Sequence, residues 1–322
     1  PFTFESWEPG NQVVLVKNKN YWDSGKPYLD RLVLRAISDA SSLVTSVRSG
    51  DVDLIWNFQL SQYVDLQKDP NLQVSPGLIG SSYYDMTFNV TRDPVSDKLV
   101  RQAINYATDR EQFVKNVLYG VSQPTDIPFP TYSIAYSKEL DQRYSYDLDK
   151  AKALLKQAGK TNVSFAAIAS SQIQTESVTL AQIVQASLKQ IGVNMTVQNL
   201  ESARYLDLDH HSDFQMMMHT FGRSNTDPDT LLRGAIVWRA KDNVSKFSSP
   251  EYTQLVDEAG STVDPDRRKL LYQKIAEIML DQSWTITVAA APSPYAYTKK
   301  LQGFAYDRQG YPLPAGMWLA GA

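Results

Sequence analysis

The segment ESVTLAQIVQASLKQIG (176–192), continued by VNMTVQNL (193–200), decides the fold of this chain. In its first part Leu180, Val184 and Leu188 recur at helical spacing, which gives a helix one apolar face. The second part predicts a strand. An amphipathic helix that leads into a strand is the repeating unit of α/β proteins.

The alternation of helices and strands continues on both sides of this segment. A predicted helix (148–159) precedes a predicted strand (162–170), a further strand covers 214–222, and two helices run through 249–282. Strands that alternate with amphipathic helices predict an α/β lobe, which we assign to residues 95–283.

The flanking regions predict a second unit. Strands are expected over 12–18 and 29–37, and WTITVAAAPSPYAYT (284–298) predicts a strand that returns to a sheet. We therefore assign residues 1–94 and 284–322 to a partial first lobe, built from a mixed sheet with helices. The chain would pass twice between the lobes, and two crossovers make a natural hinge.

The stretch SVRSGDVDLIWN (46–57) allows a catalytic or a structural interpretation of two carboxylates. A predicted helix ends at Gly50, where a left-handed cap is expected, and a strand follows from Val52. Asp51 and Asp53 therefore lie at a helix-to-strand turn. Because acidic residues are common in turns, we favour the structural interpretation.

Two further aspartates have predicted structural roles. Asp109 separates two amphipathic helices, and Asp264 opens the last long helix just before Pro265. Both are predicted N-caps, because a carboxylate accepts hydrogen bonds from the N–H groups of the first helical turn.

The composition excludes several function classes. A chain of 322 residues with 43% hydrophobic content can form two domains. The net charge of −3 lacks the basic bias of nucleic-acid-binding proteins. No apolar run reaches the roughly 18 residues of a membrane span, and the absence of cysteine excludes thiolate chemistry. The 18 tyrosines suit a protein that binds small organic ligands.

No catalytic or cofactor motif stands out in the sequence. The histidines are His210, His211 and His219, and two adjacent histidines cannot both face one ion from a helix. A nucleophile elbow, a Walker A motif and a GxGxxG fingerprint are all absent. We therefore expect no metal, no cofactor and no enzymatic activity.

The loop GRSNTDPD, after the predicted strand 214–222, is the best candidate for ligand binding. Loops at the carboxyl edge of an α/β sheet are the usual place for ligands. Arg223 in the loop, and Trp238 and Arg239 near it in sequence, could clamp a carboxylate or stack on a ligand. The alternatives are surface ion pairs for the two arginines and core packing for Trp238.

Four segments in order carry a family resemblance: PFTFESWEPGNQVVLVKNKNYW (1–22), SVRSGDVDLI (46–55), VRQAINYATDREQFV (100–114) and SSPEYTQLVDEAGSTVDPDRRKLLYQKIAEIMLDQ (248–282). Together they resemble the family 5 extracellular solute-binding proteins of ABC importers, the oligopeptide- and dipeptide-binding group. The resemblance covers essentially the whole chain.

The resemblance implies a two-lobed α/β fold of the periplasmic-binding-protein type (type II, cluster C-like) with an incomplete first lobe. It implies a receptor that encloses a peptide or another small polar solute between its lobes by hinge closure and delivers it to an ABC permease. We also expect an extracytoplasmic location, either in the periplasm or at the outer face of the cytoplasmic membrane with a lipid anchor on a missing N-terminal portion. The full-length protein is expected to be monomeric and to have no nucleic-acid partner. The turn with Asp51 and Asp53 then belongs to the scaffold.

The sequence departs from the peptide-binding members at their ligand contacts. Arg223 replaces the usual tryptophan, Asn225 lies near the usual aspartate, and Gln172 lies near an arginine position. A buried charged terminus without a counter-charge is costly, so these changes weaken the case for a zwitterionic dipeptide. An opine, a sugar or a longer peptide remains open as the solute.

The expected ligand contacts come from one strand, two strand ends and the loop region: Tyr83, Tyr84, Gln172, Arg223, Ser224, Asn225, Trp238 and Arg239. Tyr83 and Tyr84 point to opposite faces of a strand, so at most one of them is expected to meet the ligand. The alternative to a transport receptor is a ligand-sensing domain of a regulator with the same fold. A hydrolase lacks a nucleophile–base motif here.

Overall fold

The structure, a computed structural model, describes residues 1–160, 162–222 and 227–321. It confirms the α/β class and divides the chain into two compact units. Unit 1 comprises residues 1–78 and 293–322, and unit 2 comprises residues 79–292.

The elements are numbered along the chain. The strands are β1 Phe2–Glu8, β2 Gln12–Lys17, β3 Arg31–Arg35, β4 Leu54–Trp56, β5 Leu72–Ser75, β6 Ser82–Phe88, β7 Ser164–Ala169, β8 Asn194–Asn199, β9 Met216–Gly222, β10 Thr285–Ala291, β11 Tyr295–Thr298, β12 Leu301–Gln302 and β13 Trp318–Leu319. The α-helices are α1 Ala40–Ser49, α2 Leu60–Leu66, α3 Lys98–Tyr106, α4 Arg110–Asn116, α5 Leu148–Gln157, α6 Thr175–Gln190, α7 Ser202–His211, α8 Pro228–Gly234, α9 Pro250–Ser261 and α10 Pro265–Gln282. Short 3-10 helices cover Leu140–Gln142 and Pro314–Gly316.

Unit 1 is built on small antiparallel sheets. One has the order β1-β2-β3 and another the order β4-β11-β5, while β12 pairs with β13. Helix α1 follows β3 in the chain, and Asp39 caps its start by accepting a hydrogen bond from the Ser42 amide (2.7 Å). The helix ends at Gly50 with a φ of 81°, a left-handed conformation that glycine adopts without strain. The predicted glycine stop is therefore confirmed.

Unit 2 is organised around one five-stranded sheet with the order β10-β6-β9-β7-β8. Strand β7 runs parallel to both β8 and β9, whereas β6 is antiparallel to its neighbours β9 and β10. The predicted N-caps are confirmed: Asp109 accepts from the Gln112 amide (2.8 Å), and Asp264 accepts from the Arg267 amide (2.8 Å). These caps fix where α4 and α10 begin.

An aromatic cluster anchors one side of this sheet. The ring of Trp284, just before β10, stacks on Phe247 with centroids 4.0 Å apart, and Tyr252 lies edge-on at 5.1 Å. The Tyr252 hydroxyl donates to the carbonyl of Trp238 (2.6 Å), and the indole N–H of Trp284 donates to the carbonyl of Val237 (3.0 Å). The polar tips of these large side chains are therefore satisfied inside the core.

The predicted lobe boundaries after residues 94 and 283 need correction. Strand β6 pairs with β9, and β10 pairs with β6, so both strands belong to the central sheet of unit 2. The segment 284–298 is also two strands rather than one. Pro292 and Pro294 lie between β10 and β11, where proline cannot continue a strand ladder, and the two strands belong to different units.

Candidate solute-binding site

The carboxyl-terminal edge of the central sheet brings several predicted contacts to one side of unit 2. Strands β7, β8 and β9 end at this edge, and the antiparallel strand β6 begins there. Tyr83 and Tyr84 open β6, and Gln172 follows β7. Because ligands of open α/β sheets bind outside the carboxyl ends of the strands, this edge is the candidate site.

A hydrogen-bonded trio lies at this edge. The side-chain N–H of Gln174 donates to the hydroxyl of Tyr84 (3.1 Å) and to Oε2 of Glu176 (2.6 Å). The Tyr84 ring packs edge-on against Phe113, with centroids 5.1 Å apart. Burial, helped by the nearby Glu176 carboxylate, raises the pKa of Tyr84, so its hydroxyl is neutral and can donate as well as accept.

Gln172 joins the ends of two structural elements. Its Oε1 accepts from the amide (3.0 Å) and the hydroxyl (2.8 Å) of Ser202, while its Nε2 donates to Glu201 Oε2 (2.7 Å). The Ser202 amide belongs to the first turn of α7, where backbone N–H groups lack helical partners. Gln172 therefore caps α7 from the far end of β7.

The ends of β7 and β8 are further linked by a reciprocal pair. The amide of Ser171 donates to Asn199 Oδ1 (2.9 Å), and Asn199 Nδ2 donates to the Ser171 hydroxyl (3.0 Å). The edge is thus a set of neutral hydrogen-bonding groups with two carboxylates, Glu176 and Glu201, among them. Such a surface can orient a polar solute through its hydroxyl, amide or amino groups.

The other predicted contacts lie elsewhere or are enclosed. Trp238 is only 1% exposed and packs edge-on against Trp284 at 5.9 Å, so core packing describes its position. Arg239 is half-buried, and its Nε donates to the carbonyl of Asp242 (2.8 Å), which braces a local loop. Within the described residues, no hydrogen bond or ring contact connects either residue to Tyr84.

Tyr83 is enclosed as well. It lies opposite Phe221 of β9 and Ala290 of β10 and is 2% exposed. Tyr84 is equally buried, on the other face of β6. Arg223, Ser224 and Asn225 follow Gly222, the last residue of β9, and lie outside the described residues.

Sequence reasoning missed Gln174 and Glu176. Both sit at the start of α6, and the only available signal was their position just after a predicted strand. Their partner Tyr84 is 90 residues away in sequence, so nothing local indicated the contact.

The aspartates and histidines that were considered for catalysis lie in a turn, at a helix end and on a strand. Asp51 and Asp53 flank the turn between α1 and β4. His210 and His211 end α7, while His219 is buried on β9. Among the residues that the structure describes, no group of three or more His, Asp or Glu side chains could hold a metal ion. In the same part of the chain, no helix has the length and apolarity needed to span a membrane.

The comparisons identify the class of protein. Residues 1–237 match the middle region of the bacterial extracellular solute-binding proteins, family 5. The chain belongs to this family, as the sequence motifs predicted.

Named relatives extend this match over nearly the whole chain. Heme-binding protein A of Haemophilus influenzae is 26% identical and matches 100% of this chain and 59% of its own length. Oligopeptide-binding protein AppA of Bacillus subtilis is 29% identical, over 95% of this chain and 59% of its own length. The chain therefore spans less than two thirds of these relatives.

A solved structure confirms the two-lobed fold class. The periplasmic binding protein DppA of Helicobacter pylori, determined in complex with the peptide STSA, is 28% identical. It superposes with a TM-score of 0.79 over 99% of this chain and 62% of that protein.

Proposed function

We propose that this protein is the solute-binding receptor of an ABC importer and that it binds a peptide or another small polar solute without chemical conversion. The observation that carries the proposal is the similarity, over nearly the whole of this chain, to proteins named for the dipeptides, oligopeptides, heme or glutathione that they bind. The regulator alternative is less favoured, because the relative DppA of Helicobacter pylori is an ABC transporter-associated periplasmic binding protein.

The carboxyl-terminal edge of the central sheet supplies part of the proposed site. Gln172 and Gln174 offer neutral hydrogen-bonding groups, and Glu176 offers a carboxylate beside them, while the buried Tyr84 positions Gln174 through its hydroxyl. Arg223, which follows β9 in the sequence, is proposed to bind a carboxylate or another acceptor of the solute. This mixture suits a solute rich in hydroxyl, amide or amino groups, and a short zwitterionic dipeptide is the less favoured ligand.

The proposal includes the setting of such a receptor. It places the protein outside the cytoplasmic membrane, held there by a lipid anchor or in the periplasm, as a monomer that docks on an ABC permease. The family description supports an extracellular location. Closure of two lobes on the solute, as the family resemblance implies, remains part of the prediction.

The proposal is tested by a calorimetric screen of the full-length protein against peptides, opines and sugars. For the best ligand, Gln174→Ala and Arg223→Ala should each weaken binding by roughly tenfold, which corresponds to about 1.4 kcal/mol. Glu277→Gln, a change of an exposed carboxylate on α10, is the matched control and should bind like the wild type. Unchanged affinity in both variants would show that the edge is misassigned, and turnover of the bound compound would disprove a pure receptor.

A further inference from the structure

One face of the central sheet carries a row of polar side chains where apolar ones are expected. Asp85 of β6 lies directly opposite His219 of β9 and Thr287 of β10. Opposed residues of antiparallel strands share a face, so the three side chains lie side by side. Strand β7 runs parallel to β9, and its Ile168 pairs with Met217. Ser170 comes two residues after Ile168, so it lies level with His219, which comes two residues after Met217. We call Ser170, His219, Asp85 and Thr287 the polar row.

The polar row is deeply buried. Asp85 is 0% exposed, and His219 is 7% exposed. Helix α7 covers the row from one side: Asp209 Oδ1 lies 3.6 Å from His219 Nε2, and the Tyr205 ring stands edge-on to the imidazole at 6.2 Å. The Tyr205 hydroxyl donates to the carbonyl of Met218, so it is already engaged.

Unsatisfied polar atoms concentrate in this row. Within the described residues, the following buried atoms have no hydrogen-bond partner: both carboxylate oxygens of Asp85, the hydroxyl oxygens of Thr287 and Ser170, Nε2 of His219, and Oδ1 of Asp209. Buried polar groups are normally paired, and a cluster of exceptions requires a physical explanation. An ionised Asp85 would be the most costly member, because a charge without hydrogen bonds is strongly disfavoured in the interior.

Among the described residues, no positive charge from the surrounding elements neutralises Asp85. Arg110 approaches the strand of Thr287, where its Nε donates to the Thr287 carbonyl (3.1 Å), but the same nitrogen forms an ion pair with Asp126 (3.1 Å). The titratable groups that the described contacts place beside the row are Tyr83 on the same strand, with Tyr205 and Asp209 on α7, and none of them carries a positive charge. His219 is thus the one basic group of the row.

Burial favours the uncharged form of both Asp85 and His219. It raises the pKa of Asp85 well above its ordinary value, and the facing Thr287 hydroxyl, which does not reach hydrogen-bonding geometry, offsets this only in part. Burial lowers the pKa of His219, against the attraction of Asp209. Both effects favour the neutral forms.

We propose that Asp85 is a protonated carboxylic acid at neutral pH and that the polar row is a pH-sensitive element of unit 2. A protonated carboxyl carries no charge, so it avoids the cost of an isolated buried ion at a position where, among the described residues, Asp85 has no hydrogen-bond partner. Loss of this proton in alkaline solution, or gain of a proton by His219 in acid, introduces a buried charge and loosens the sheet. This inference does not depend on which solute the protein binds.

The sign of the pH effect follows from the proton balance. The folded protein holds the Asp85 proton at pH values where the unfolded chain, with a carboxyl pKa of about 3.9, has released it. The unfolding equilibrium constant therefore rises by about tenfold per pH unit between that value and the folded-state pKa. Asp85→Asn keeps a donor and an acceptor but has no proton to lose, so it should abolish this slope.

The decisive measurement is carbon-13 NMR of the full-length protein with assigned side-chain carboxyl signals. The Asp85 Cγ signal should have the protonated chemical shift at pH 7, with the exposed Glu277 carboxylate as internal reference. An ionised Asp85 at pH 7, with or without an imidazolium at His219, would overturn the proposal. This experiment needs no variant, so it remains valid even if Asp85→Asn fails to fold.

Denaturant unfolding between pH 4 and pH 8 provides the second test. The ratio of the unfolding constants of the wild type and Asp85→Asn should increase by at least tenfold over this range. Glu277→Gln serves as the matched exposed control and should keep a constant ratio to the wild type. A flat ratio for Asp85→Asn would contradict the proposal.

Discussion

Two buried carboxylates of unit 2 are accommodated in opposite ways. Asp126 has one oxygen 3.1 Å from Arg110 Nε, and its other oxygen accepts from the Tyr144 amide (2.7 Å). Asp85 has neither a cation nor a hydrogen bond within the described residues. Burial raises the pKa of both carboxyls, but at Asp126 the positive charge of Arg110 is the main opposing influence.

The comparison separates two ways to keep an acid in a core. A paired carboxylate is stabilised as an ion by its partner, whereas an unpaired one is best kept neutral by a proton. The same substitution should therefore have opposite consequences at the two sites, and the following predictions use this difference.

The largest effect is expected from breaking the paired site. Arg110 holds Asp126 and also donates to the Thr287 carbonyl and to Asn105 Oδ1 (2.6 Å). Arg110→Met should lower the free energy of unfolding by roughly 3–5 kcal/mol, because it leaves a buried carboxylate without its counter-charge. Chemical denaturation at pH 7 measures the change.

A matched control shows whether burial causes this loss. Arg92 pairs with Asp213 at 2.7 Å, but both side chains are about half exposed to solvent. Arg92→Met should cost only about 0–1 kcal/mol, since exposed ion pairs contribute little. Equal losses of unfolding free energy in Arg110→Met and Arg92→Met would mean that burial does not cause the loss at Arg110.

The second prediction applies one substitution to both acids. Asp126→Asn should destabilise the protein by about 2 kcal/mol at pH 7, because Arg110 then remains buried without a carboxylate. Asp85→Asn should instead stabilise it by about 1 kcal/mol or more, since each unit of raised pKa costs about 1.4 kcal/mol in the ionised range. Unfolding curves of both variants and the wild type at pH 7 measure the two stability changes. If both changes had the same sign, the paired and the unpaired carboxyl would not differ in the way proposed.

The third prediction concerns the protonation of His219 in the polar row at acidic pH. Burial lowers the pKa of His219, so the unfolded chain binds this proton at higher pH than the folded protein does. The contribution of His219 to stability should therefore be complete above about pH 6.5 and fall with decreasing pH by up to about 1.4 kcal/mol per unit. His219→Gln should remove that part of the loss between pH 7 and pH 5. An unchanged acid slope in the variant would place the titrating group elsewhere, and His210→Gln on the end of α7 is the control.

The local features of the fold were predictable because they depend on neighbouring residues. The caps at Asp109 and Asp264 and the stop at Gly50 involve contacts within a few positions, and all three are present. The α/β class followed from periodicity in the same way. Helix α2, by contrast, was not predicted: its seven residues are too few for periodicity to separate them from the loops around them.

The long-range features could not be predicted from pattern alone. Assignment of β6 and β10 to unit 2 depends on which strands they pair with, and pairing partners are not local information. The same holds for Gln174 beside Tyr84 and for Asp85 opposite His219. Trp238 shows the converse: its position near a candidate loop in sequence indicated ligand contact, whereas the structure places it in the aromatic core.

The smallest effect is expected at the sheet edge, where polar groups are satisfied and water is close. Gln172 caps α7 through the Ser202 amide, yet its side chain is exposed, so water can take over its hydrogen bonds when it is removed. Gln172→Ala should therefore cost only about 0.5–1 kcal/mol, in the range of a lost helix cap. Gln182→Ala, at an exposed position within α6, should change stability by no more than a few tenths of a kcal/mol. A loss above about 2 kcal/mol for Gln172→Ala would show that this edge is held as tightly as the buried sites, because only groups cut off from solvent carry penalties of that size.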